Sequence, residues 1–144
     1  MLVGEYRHVL DVKKRLAVPA KFRKDLGNRV VLTRGLDACL FLYPERSWIE
    51  LADRLGKLPT GQAGTRSFVR LMLAGAAEAE VDRLGRILVP EYLRAYATLG
   101  RKVVLAGLFN RVEIWDETLW REYQKKSEQN ASEIAEKLGE IGAY

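Results

Sequence analysis

The sequence predicts an α+β fold made of two tandem β-β-α-β-β repeats that pack on each other pseudo-symmetrically, with additional helices. Three observations predict this fold. A motif occurs twice, the residues after it match in the same order, and hydrophobic spacing alternates between the strand and helix periods. The two copies of the motif are Asp11-Val-Lys-Lys-Arg-Leu-Ala-Val-Pro19 and Asp82-Arg-Leu-Gly-Arg-Ile-Leu-Val-Pro90.

The repeat continues beyond the motif, which argues against chance similarity. The offset between the copies drifts from 71 to 73 and then to 72 residues. Short insertions and deletions of this kind collect in the connections between elements, so the drift is typical of a duplication. Further segments match in the same order: Leu26-Gly27 with Leu99-Gly100, Val30-Val31-Leu32 with Val103-Val104-Leu105, and Trp48 with Trp120.

The first repeat is expected to contain four strands and a helix, followed by a second helix. Pro19 suits the first turn of a helix and Gly27 suits its end. Trp48, Leu51 and Leu55 have helical spacing. The predicted elements are strands over 5–10 and 15–18, a helix over 20–26, strands over 29–33 and 39–43 around a hairpin turn at 34–37, and a helix over 45–58.

The two halves are joined by one convincing connection, residues 57–64, which contains Pro59, Gly61 and Gly64. A mostly apolar helix over 66–75 leads into the second repeat. That repeat begins with a strand over 76–82 and ends in a long charged helix over 116–139 with a thin apolar stripe. We therefore expect residues 1–58 to form the first repeat with its helix, 59–75 a connecting segment and helix, and 76–144 the second repeat with the C-terminal helix.

Charge is distributed unevenly along the chain. The net charge is +5, and residues 1–24 contain seven basic residues against two acidic ones. From Asp116 onward, seven acidic residues oppose four basic ones. A basic beginning and an acidic end favour a nucleic-acid or membrane partner at the basic end, the alternative being a solvated charged face.

Several classes of function are disfavoured. A single cysteine, Cys39, cannot form an internal disulfide, and no apolar run approaches the roughly 20 residues of a membrane span. The charged N-terminal residues do not resemble a signal peptide, so we expect a cytoplasmic protein without a membrane partner. One cysteine and one histidine, His8, cannot form a usual metal site. Without a phosphate-binding glycine motif or a nucleophile elbow, we expect no enzyme activity, cofactor or small-molecule substrate.

Three further predictions concern packing. His8 falls on the apolar side of its strand, so we expect it in the core. Cys39 is expected in a buried strand. Trp48, Trp115 and Trp120 are expected to anchor helices on sheets, with a platform for stacking bases as the alternative.

The repeated turn contains the residues best suited to binding. Asp11 and Asp82 can accept backbone N–H groups and organise the two turns, which would restrict Arg15 and Arg86. The planar guanidinium of arginine suits phosphate and the O6/N7 edge of guanine. The alternative is a pair of structural ion pairs, although an exposed pair contributes only about 0–1 kcal/mol. Neighbouring basic residues suited to backbone phosphates are Arg7, Lys13, Lys14 and Arg83.

These residues resemble the MraZ family of bacterial transcriptional regulators over essentially the whole chain. The specific matches are the two Asp-x-x-x-Arg motifs, Leu40-Phe-Leu-Tyr-Pro44 before a tryptophan-containing helix, and Phe109-Asn-Arg-Val-Glu-Ile-Trp-Asp116. The family's first motif usually has glycine where this chain has Lys14, whereas Gly85 is kept in the second. If that position needs a positive φ, Lys14 costs about 1 kcal/mol relative to glycine and adds a charge.

The resemblance implies two AbrB/SpoVT-type modules of the swapped-hairpin, double-psi-like β-barrel kind. It also implies a ring-shaped homo-oligomer, associated with the nucleoid, that binds short direct repeats in double-stranded promoter DNA of the division and cell-wall gene cluster. Repression is the usual outcome. A closed ring repeats one basic face at fixed spacing, so weak contacts with each DNA repeat would add through effective concentration.

A second hypothesis is a non-catalytic antitoxin-like or protein-assembly module, because swapped-hairpin folds also serve protein partners. Co-purification with a stoichiometric protein, without binding to promoter DNA, would favour this alternative. An enzyme is the least favoured hypothesis. Only a catalytic turnover that is lost on mutation of Asp11 or Asp82 would support it.

Overall fold

A computed structural model describes residues 1–144 and confirms a mixed α+β fold with antiparallel sheets. Each half contributes four strands and two helices in the same order. The first half contains β1 (Leu2–Val9), β2 (Arg15–Ala17), α1 (Ala20–Leu26), β3 (Arg29–Arg34), β4 (Leu40–Pro44) and α2 (Glu45–Gly56). The second half contains β5 (Ala77–Glu80), β6 (Arg86–Leu88), α4 (Glu91–Tyr96), β7 (Lys102–Phe109), β8 (Val112–Asp116) and α5 (Glu117–Glu140).

Between the halves lie α3 (Ala63–Val69) and a π-helical turn (Arg70–Ala74). The sequence predicted one helix over 66–75, so its start was predicted too late and the change of helix type was missed. The Thr33 hydroxyl donates to the Met72 carbonyl at 2.6 Å. That contact gives the Met72 carbonyl a donor outside the ordinary helical ladder, and inserted partners of this kind accompany departures from α-helical geometry.

Six strands form one sheet in the order β1-β7-β8-β4-β3-β5, and β2 and β6 form a separate two-stranded ribbon. The first strand of each half pairs with the third strand of the other half, β1 with β7 and β5 with β3. Tyr6 lies opposite Leu105, and Ala77 lies opposite Leu32. These two pairs are equivalent at the offsets of 71 and 73 residues that the sequence repeat predicted.

A pseudo-twofold axis relates the two halves. Phe41 on β4 lies opposite Glu113 on β8, and Leu16 on β2 lies opposite Ile87 on β6. In each pair a residue faces its own counterpart from the other half, which requires a twofold relation at that point. The pseudo-symmetric packing of the halves was therefore predicted correctly.

The main core lies on one face of the six-stranded sheet and draws on both halves. It contains Phe22 from α1, Leu93 from α4, and Leu16 and Ile87 from the ribbon, all at most 1% exposed. A smaller cluster on the opposite face holds α2, the π-helical turn and α5 against the sheet. Because one core spans both halves, neither half folds around a hydrophobic core of its own.

The two interior helices of the main core begin in the same way. Pro19 and Pro90 each occupy the position before the helix, as the sequence predicted for Pro19. Gly27 follows α1 with φ of 74°, a backbone conformation that glycine adopts without strain. No helix combines the length and the apolar composition that crossing a membrane would require.

Candidate nucleic-acid interface

The two predicted turns meet on the β2–β6 ribbon. Arg15 lies opposite Leu88, and Arg86 lies opposite Ala17. Side chains alternate along a strand, so the buried Leu16 and Ile87 fix the ribbon on the core and leave both arginines on its outer face. Residues that are 71 positions apart in sequence therefore share one surface.

The first turn is organised by the carboxylate of Asp11. Its Oδ1 accepts the backbone N–H groups of Lys13 and Arg15, both at 2.9 Å. Its Oδ2 accepts the Nε–H of Arg15 at 2.9 Å. The backbone closes the turn, because Lys14 N–H donates to the Asp11 carbonyl at 2.9 Å. One carboxylate thus fixes both the loop and the arginine beside it.

The second turn repeats this geometry. Asp82 Oδ1 accepts the backbone N–H groups of Leu84 and Arg86, and Oδ2 accepts the Nε–H of Arg86, all at 2.9 Å. Arg86 has one further contact, because its Nη1 lies 3.9 Å from Asp11 Oδ2. The two turns are therefore joined electrostatically as well as through the ribbon.

These hydrogen bonds hold both carboxylates in the charged form. The Arg15 backbone N–H is the largest cause that lowers the pKa of Asp11 below 3.8, and the Arg15 side chain adds to it. The Arg86 backbone N–H does the same for the pKa of Asp82. Both aspartates are ionised at neutral pH, so both arginines remain oriented.

Each arginine uses its Nε within the protein and leaves its terminal nitrogens without a protein hydrogen bond. The side chains are 31% exposed for Arg15 and 26% exposed for Arg86. A guanidinium that is fixed through Nε and exposed through its two terminal nitrogens can donate two parallel hydrogen bonds without further ordering. The arrangement therefore suits recognition of phosphate or of a guanine edge.

Lys14 and Gly85 occupy equivalent positions and both have positive φ, 63° and 77°. The conformation that the first motif requires is thus the one that favours glycine, and Lys14 adopts it with a side chain. A Cβ atom at Gly85 would collide with the guanidinium of Arg23, which lies directly on this glycine. Lys13, Lys14 and Arg83 are exposed at the tips of the turns.

Sequence reasoning missed the contribution of Arg23 and Arg94 to this surface. Arg23 Nε donates to the Val18 carbonyl at 2.9 Å, and Arg94 Nε donates to the Val89 carbonyl at 3.0 Å. Each arginine belongs to a helix of one half and reaches the turn of the other half. The repeat could have indicated these two residues, because each arginine follows the proline of its motif by four residues.

Two equivalent grooves flank the ribbon, with volumes of about 550 and 630 Å³. The groove beside the first turn is lined by the basic residues Lys14, Arg94 and Arg101, with Asp11 as its only acid. The groove beside the second turn contains Arg23, Arg29 and Arg83 but also two acids, Glu80 and Asp82. The first groove is the more positive in balance.

Arg7 is not brought together with the two turns. It lies opposite Val104, whose side chain belongs to the smaller cluster on the far face of the sheet. Its Nη2 is 3.9 Å from Glu5, and Glu5 accepts the Trp120 Nε1–H at 2.6 Å. Proximity in sequence grouped Arg7 with the turns, and strand alternation separates it from them.

The other residues considered from the sequence have structural surroundings. His8 is half-buried rather than fully packed in the core, because β1 is an edge strand of the sheet. Cys39 is fully buried just before β4, and burial raises the pKa of its thiol. Trp48 packs on Tyr43, and Trp120 packs on Trp115, which confirms their anchoring of α2 and α5. No group of three or more metal-binding side chains comes together.

Fold and site together define a class of protein. It is a duplicated α+β chain whose two halves exchange strand partners and jointly form one ribbon with two oriented arginines and a basic margin.

Comparison with known proteins identifies the family. The family model "MraZ protein, putative antitoxin-like" matches twice, over residues 1–71 and 72–140. The proteins named "Transcriptional regulator MraZ" of Moorella thermoacetica and Natranaerobius thermophilus are 47% and 48% identical over 138 residues, 96% of this chain, with 96% of the first relative covered. The protein of that name from Caldicellulosiruptor saccharolyticus is 45% identical over 142 residues, 99% of each chain. The chain belongs to the MraZ family.

Proposed function

We propose that this protein is a sequence-specific DNA-binding transcriptional regulator that contacts double-stranded DNA through the β2–β6 ribbon. The observation that carries the proposal is the pair Arg15 and Arg86, held side by side on one outer face by Asp11 and Asp82. The names of the relatives, which describe transcriptional regulators, support the same function.

The β2–β6 ribbon is an element that the DNA major groove can accept, because that groove admits a two-stranded β-ribbon. Arg15 and Arg86 would read guanine edges through their free terminal nitrogens. Lys13, Lys14 and Arg83 would contact phosphates, with Arg23 and Arg94 contributing charge at the margins. Arg7 takes no part in this surface.

Two apolar side chains at the turn tips add a further element to the proposal. Val12 is 94% exposed and Leu84 is 66% exposed, although both lie in turns that are held by hydrogen bonds to Asp11 and Asp82. Exposed apolar groups beside arginines suit contact with the methyl group of thymine or with deoxyribose. They would therefore become buried only when DNA is bound.

We further propose a ring-shaped homo-oligomer in the cytoplasm, associated with the nucleoid, that binds direct repeats in the promoter of the division and cell-wall gene cluster and usually represses it. The two repeats would be AbrB-type swapped-hairpin modules, residues 1–58 and 76–144, joined by residues 59–75. The exchanged first strands support that assignment. The sheet also keeps two open edges, β1 and β5, which neighbouring subunits could cover.

The decisive experiment is footprinting on DNA upstream of the protein's own gene, read against the mass of the complex. We expect protection of regularly spaced short repeats and a complex containing one subunit for each repeat. The affinity should fall steeply with salt, as expected for phosphate contacts. Absence of protection, with an intact oligomer, would contradict DNA binding through this surface.

An antitoxin-like or protein-assembly role is the second candidate, and the description of the matching family model favours it. It predicts that a protein partner co-purifies in a fixed ratio and that Arg15→Ala leaves this association unchanged. It also predicts no footprint on upstream DNA.

A further inference from the structure

We propose that the groove beside the first turn binds a phosphate of one DNA strand and thereby gives the ribbon a fixed direction on DNA. This inference rests on the proposed function and deepens it, because it assigns the residues that orient the ribbon. We call the groove beside the first turn the first groove and the groove beside the second turn the second groove. The cations assigned to the phosphate are Lys14, Arg94 and Arg101, of which Arg101 belongs to neither turn.

The ribbon by itself gives little direction to a complex with DNA. Arg15 and Arg86 are related by the pseudo-twofold axis that passes between β2 and β6, where Leu16 faces Ile87. The two strands of duplex DNA are also related by local twofold axes, so a symmetric reader fits the duplex in two opposite orientations. A choice between these orientations requires a feature that differs between the two halves.

The two grooves are equivalent in position but differ in their side chains. The repeat offsets of 71 and 73 residues relate the residues that line one groove to those that line the other. The equivalent pairs, with the first groove named first, are Val9 and Glu80, Lys14 and Gly85, Arg94 and Arg23, and Arg101 and Asn28. Two pairs replace a cation with a neutral residue, and one replaces an apolar residue with an acid. The same fold therefore forms one groove that attracts anions more strongly than the other.

The cations of the first groove are available to a ligand. Arg101 contributes only its backbone carbonyl to the fold, where it accepts the Leu10 N–H at 2.8 Å, and its side chain is exposed. Arg94 donates through Nε to the Val89 carbonyl at 3.0 Å, which leaves its terminal nitrogens free. The only acid of this groove, Asp11, already binds the arginines of the two turns. The groove therefore keeps an uncompensated positive charge.

The cations of the second groove are used within the protein. Arg29 Nε lies 3.0 Å from a carboxylate oxygen of Glu45, and Glu80 lies opposite Arg29 on the neighbouring strand. The guanidinium of Arg23 covers Gly85, which is buried beneath it. A phosphate that entered this groove would meet the carboxylate of Glu80 and fewer free cations. We therefore expect only weak phosphate binding there.

Lys14 supplies a cation that the equivalent position of the second turn lacks. The φ values of Lys14 and Gly85 are 63° and 77°, so the two turns have the same backbone conformation. A Cβ atom at Gly85 would collide with Arg23, whereas Lys14 carries a Cβ atom at this place. Arg94 therefore cannot lie on the first turn as Arg23 lies on the second. The first turn presents Lys14 and Arg94 as two separate cations.

The grooves flank the ribbon, so a ribbon in the DNA major groove places one of them toward each phosphate backbone. The first groove offers three cations together with Val9, which is 46% exposed and suits contact with deoxyribose. The strand with the stronger phosphate contact is then always the one beside the first turn. A fixed direction of this kind is what binding to direct repeats requires, because every repeat points the same way.

Ethylation interference with the full-length protein tests the proposal, and the probe is the DNA upstream of its own gene. Ethylation removes the charge of a single phosphate, so a variant that has lost its contact with that phosphate becomes insensitive to the ethylation. We expect Arg101→Gln to become insensitive at one phosphate in each repeat, always on the same strand. The slope of log K against log salt should fall by about 0.9 for each contact that is lost.

Arg29→Gln is the matched control, because it removes the same charge from the second groove. Its interference pattern should equal that of the wild type, since Arg29 is paired with Glu45. The fold should tolerate Arg101→Gln, because only the carbonyl of Arg101 is used within the chain. Retention of every phosphate contact in Arg101→Gln would overturn the proposal. Equal losses on opposite strands in the two variants would also overturn it, because both grooves would then bind phosphate alike.

A gain of contact provides a second test. Asn28→Arg combined with Glu80→Val gives the second groove the residue types that Arg101 and Val9 give the first. We expect this variant to show new interference at a phosphate of the opposite strand in each repeat. An unchanged pattern would contradict the conclusion that these side chains decide which groove binds phosphate.

These outcomes are separable from failure of the proposed function. If the wild-type protein protects no upstream DNA, the proposed DNA binding is wrong and the phosphate site is wrong with it. If the wild-type protein protects this DNA and Arg101→Gln keeps every phosphate contact, only the phosphate site is wrong. The ribbon would still be the DNA-binding surface in that second case.

Discussion

Asp11 faces two arginines, because Arg86 Nη1 lies 3.9 Å from Asp11 Oδ2 while Arg15 Nε donates to the same oxygen at 2.9 Å. Asp82 has no corresponding contact with Arg15. The pseudo-symmetry of the two turns is therefore broken at one carboxylate. Asp11 links the halves, whereas Asp82 serves only its own turn.

Removing Asp11 should disturb both arginines. In Asp11→Ala we expect the Nε–H signals of Arg15 and Arg86 in ¹H–¹⁵N spectra to broaden or to exchange faster with solvent, because each guanidinium loses an acceptor or an opposite charge. In Asp82→Ala, only the Arg86 signal should respond. Equal responses of both signals to both variants would show that the 3.9 Å contact carries no interaction.

Arg15→Ala should nearly abolish DNA binding and leave the oligomer intact. A bidentate contact with guanine contributes about 1–3 kcal/mol, and every subunit loses its own contact. Arg15→Lys should restore salt-dependent attraction but not sequence discrimination, since lysine acts as a point charge. Arg46→Ala is the control, because Arg46 is 93% exposed on α2 and lies away from the ribbon. Binding by footprinting at normal affinity in Arg15→Ala would contradict the proposed site.

The sequence predicted much of the turn chemistry because that chemistry is local. The carboxylates of Asp11 and Asp82 reach backbone groups only two and four residues away. Repeated spacing also identified equivalent residues in the two halves, such as Asp11 and Asp82. Local geometry of this kind depends on residues that are close in sequence, so the sequence alone predicts it.

The exchange of strands between the halves could not be read from spacing. Apolar alternation in β1 fits pairing with β3 of its own half as well as with β7, because equivalent strands have equivalent patterns. The packing of Arg23 on Gly85 was not predicted for the same reason, because this contact joins the two halves. Arg7 was grouped with the turns because it is close to them in sequence. In the structure, its position on β1 places it on the other face of the sheet.

Lys14→Gly should stabilise the fold and weaken attraction to DNA. The φ of 63° at Lys14 favours glycine, so the substitution should raise the free energy of unfolding by about 1 kcal/mol. Loss of one phosphate contact should reduce the slope of log K against log salt by about 0.9. Denaturant unfolding and a salt titration of binding measure the two effects.

Lys13→Gly is the matched control for that prediction. Lys13 is the neighbouring exposed lysine and does not have a positive φ. The substitution should reduce the salt slope similarly but should not stabilise the fold, because glycine adds conformational freedom to the unfolded chain. If both variants stabilise equally, relief of charge repulsion rather than backbone strain explains the effect.

Stability should depend on the ionisation of Asp11 and Asp82 in acid. Hydrogen bonds lower both folded-state pKa values below 3.8, so the unfolded chain binds protons more readily at these two sites. Their contribution is therefore fully present above pH 3.8 and is lost as the pH falls through the lowered folded values.

The comparison is with Asp11→Asn and Asp82→Asn combined, which retains the Oδ1 acceptors and removes both charges. The difference in unfolding free energy between wild type and this variant should be constant from about pH 7 to pH 5 and shrink toward about pH 2. A difference that persists unchanged into acid would show that the two carboxylates are not held in their charged form by the turns.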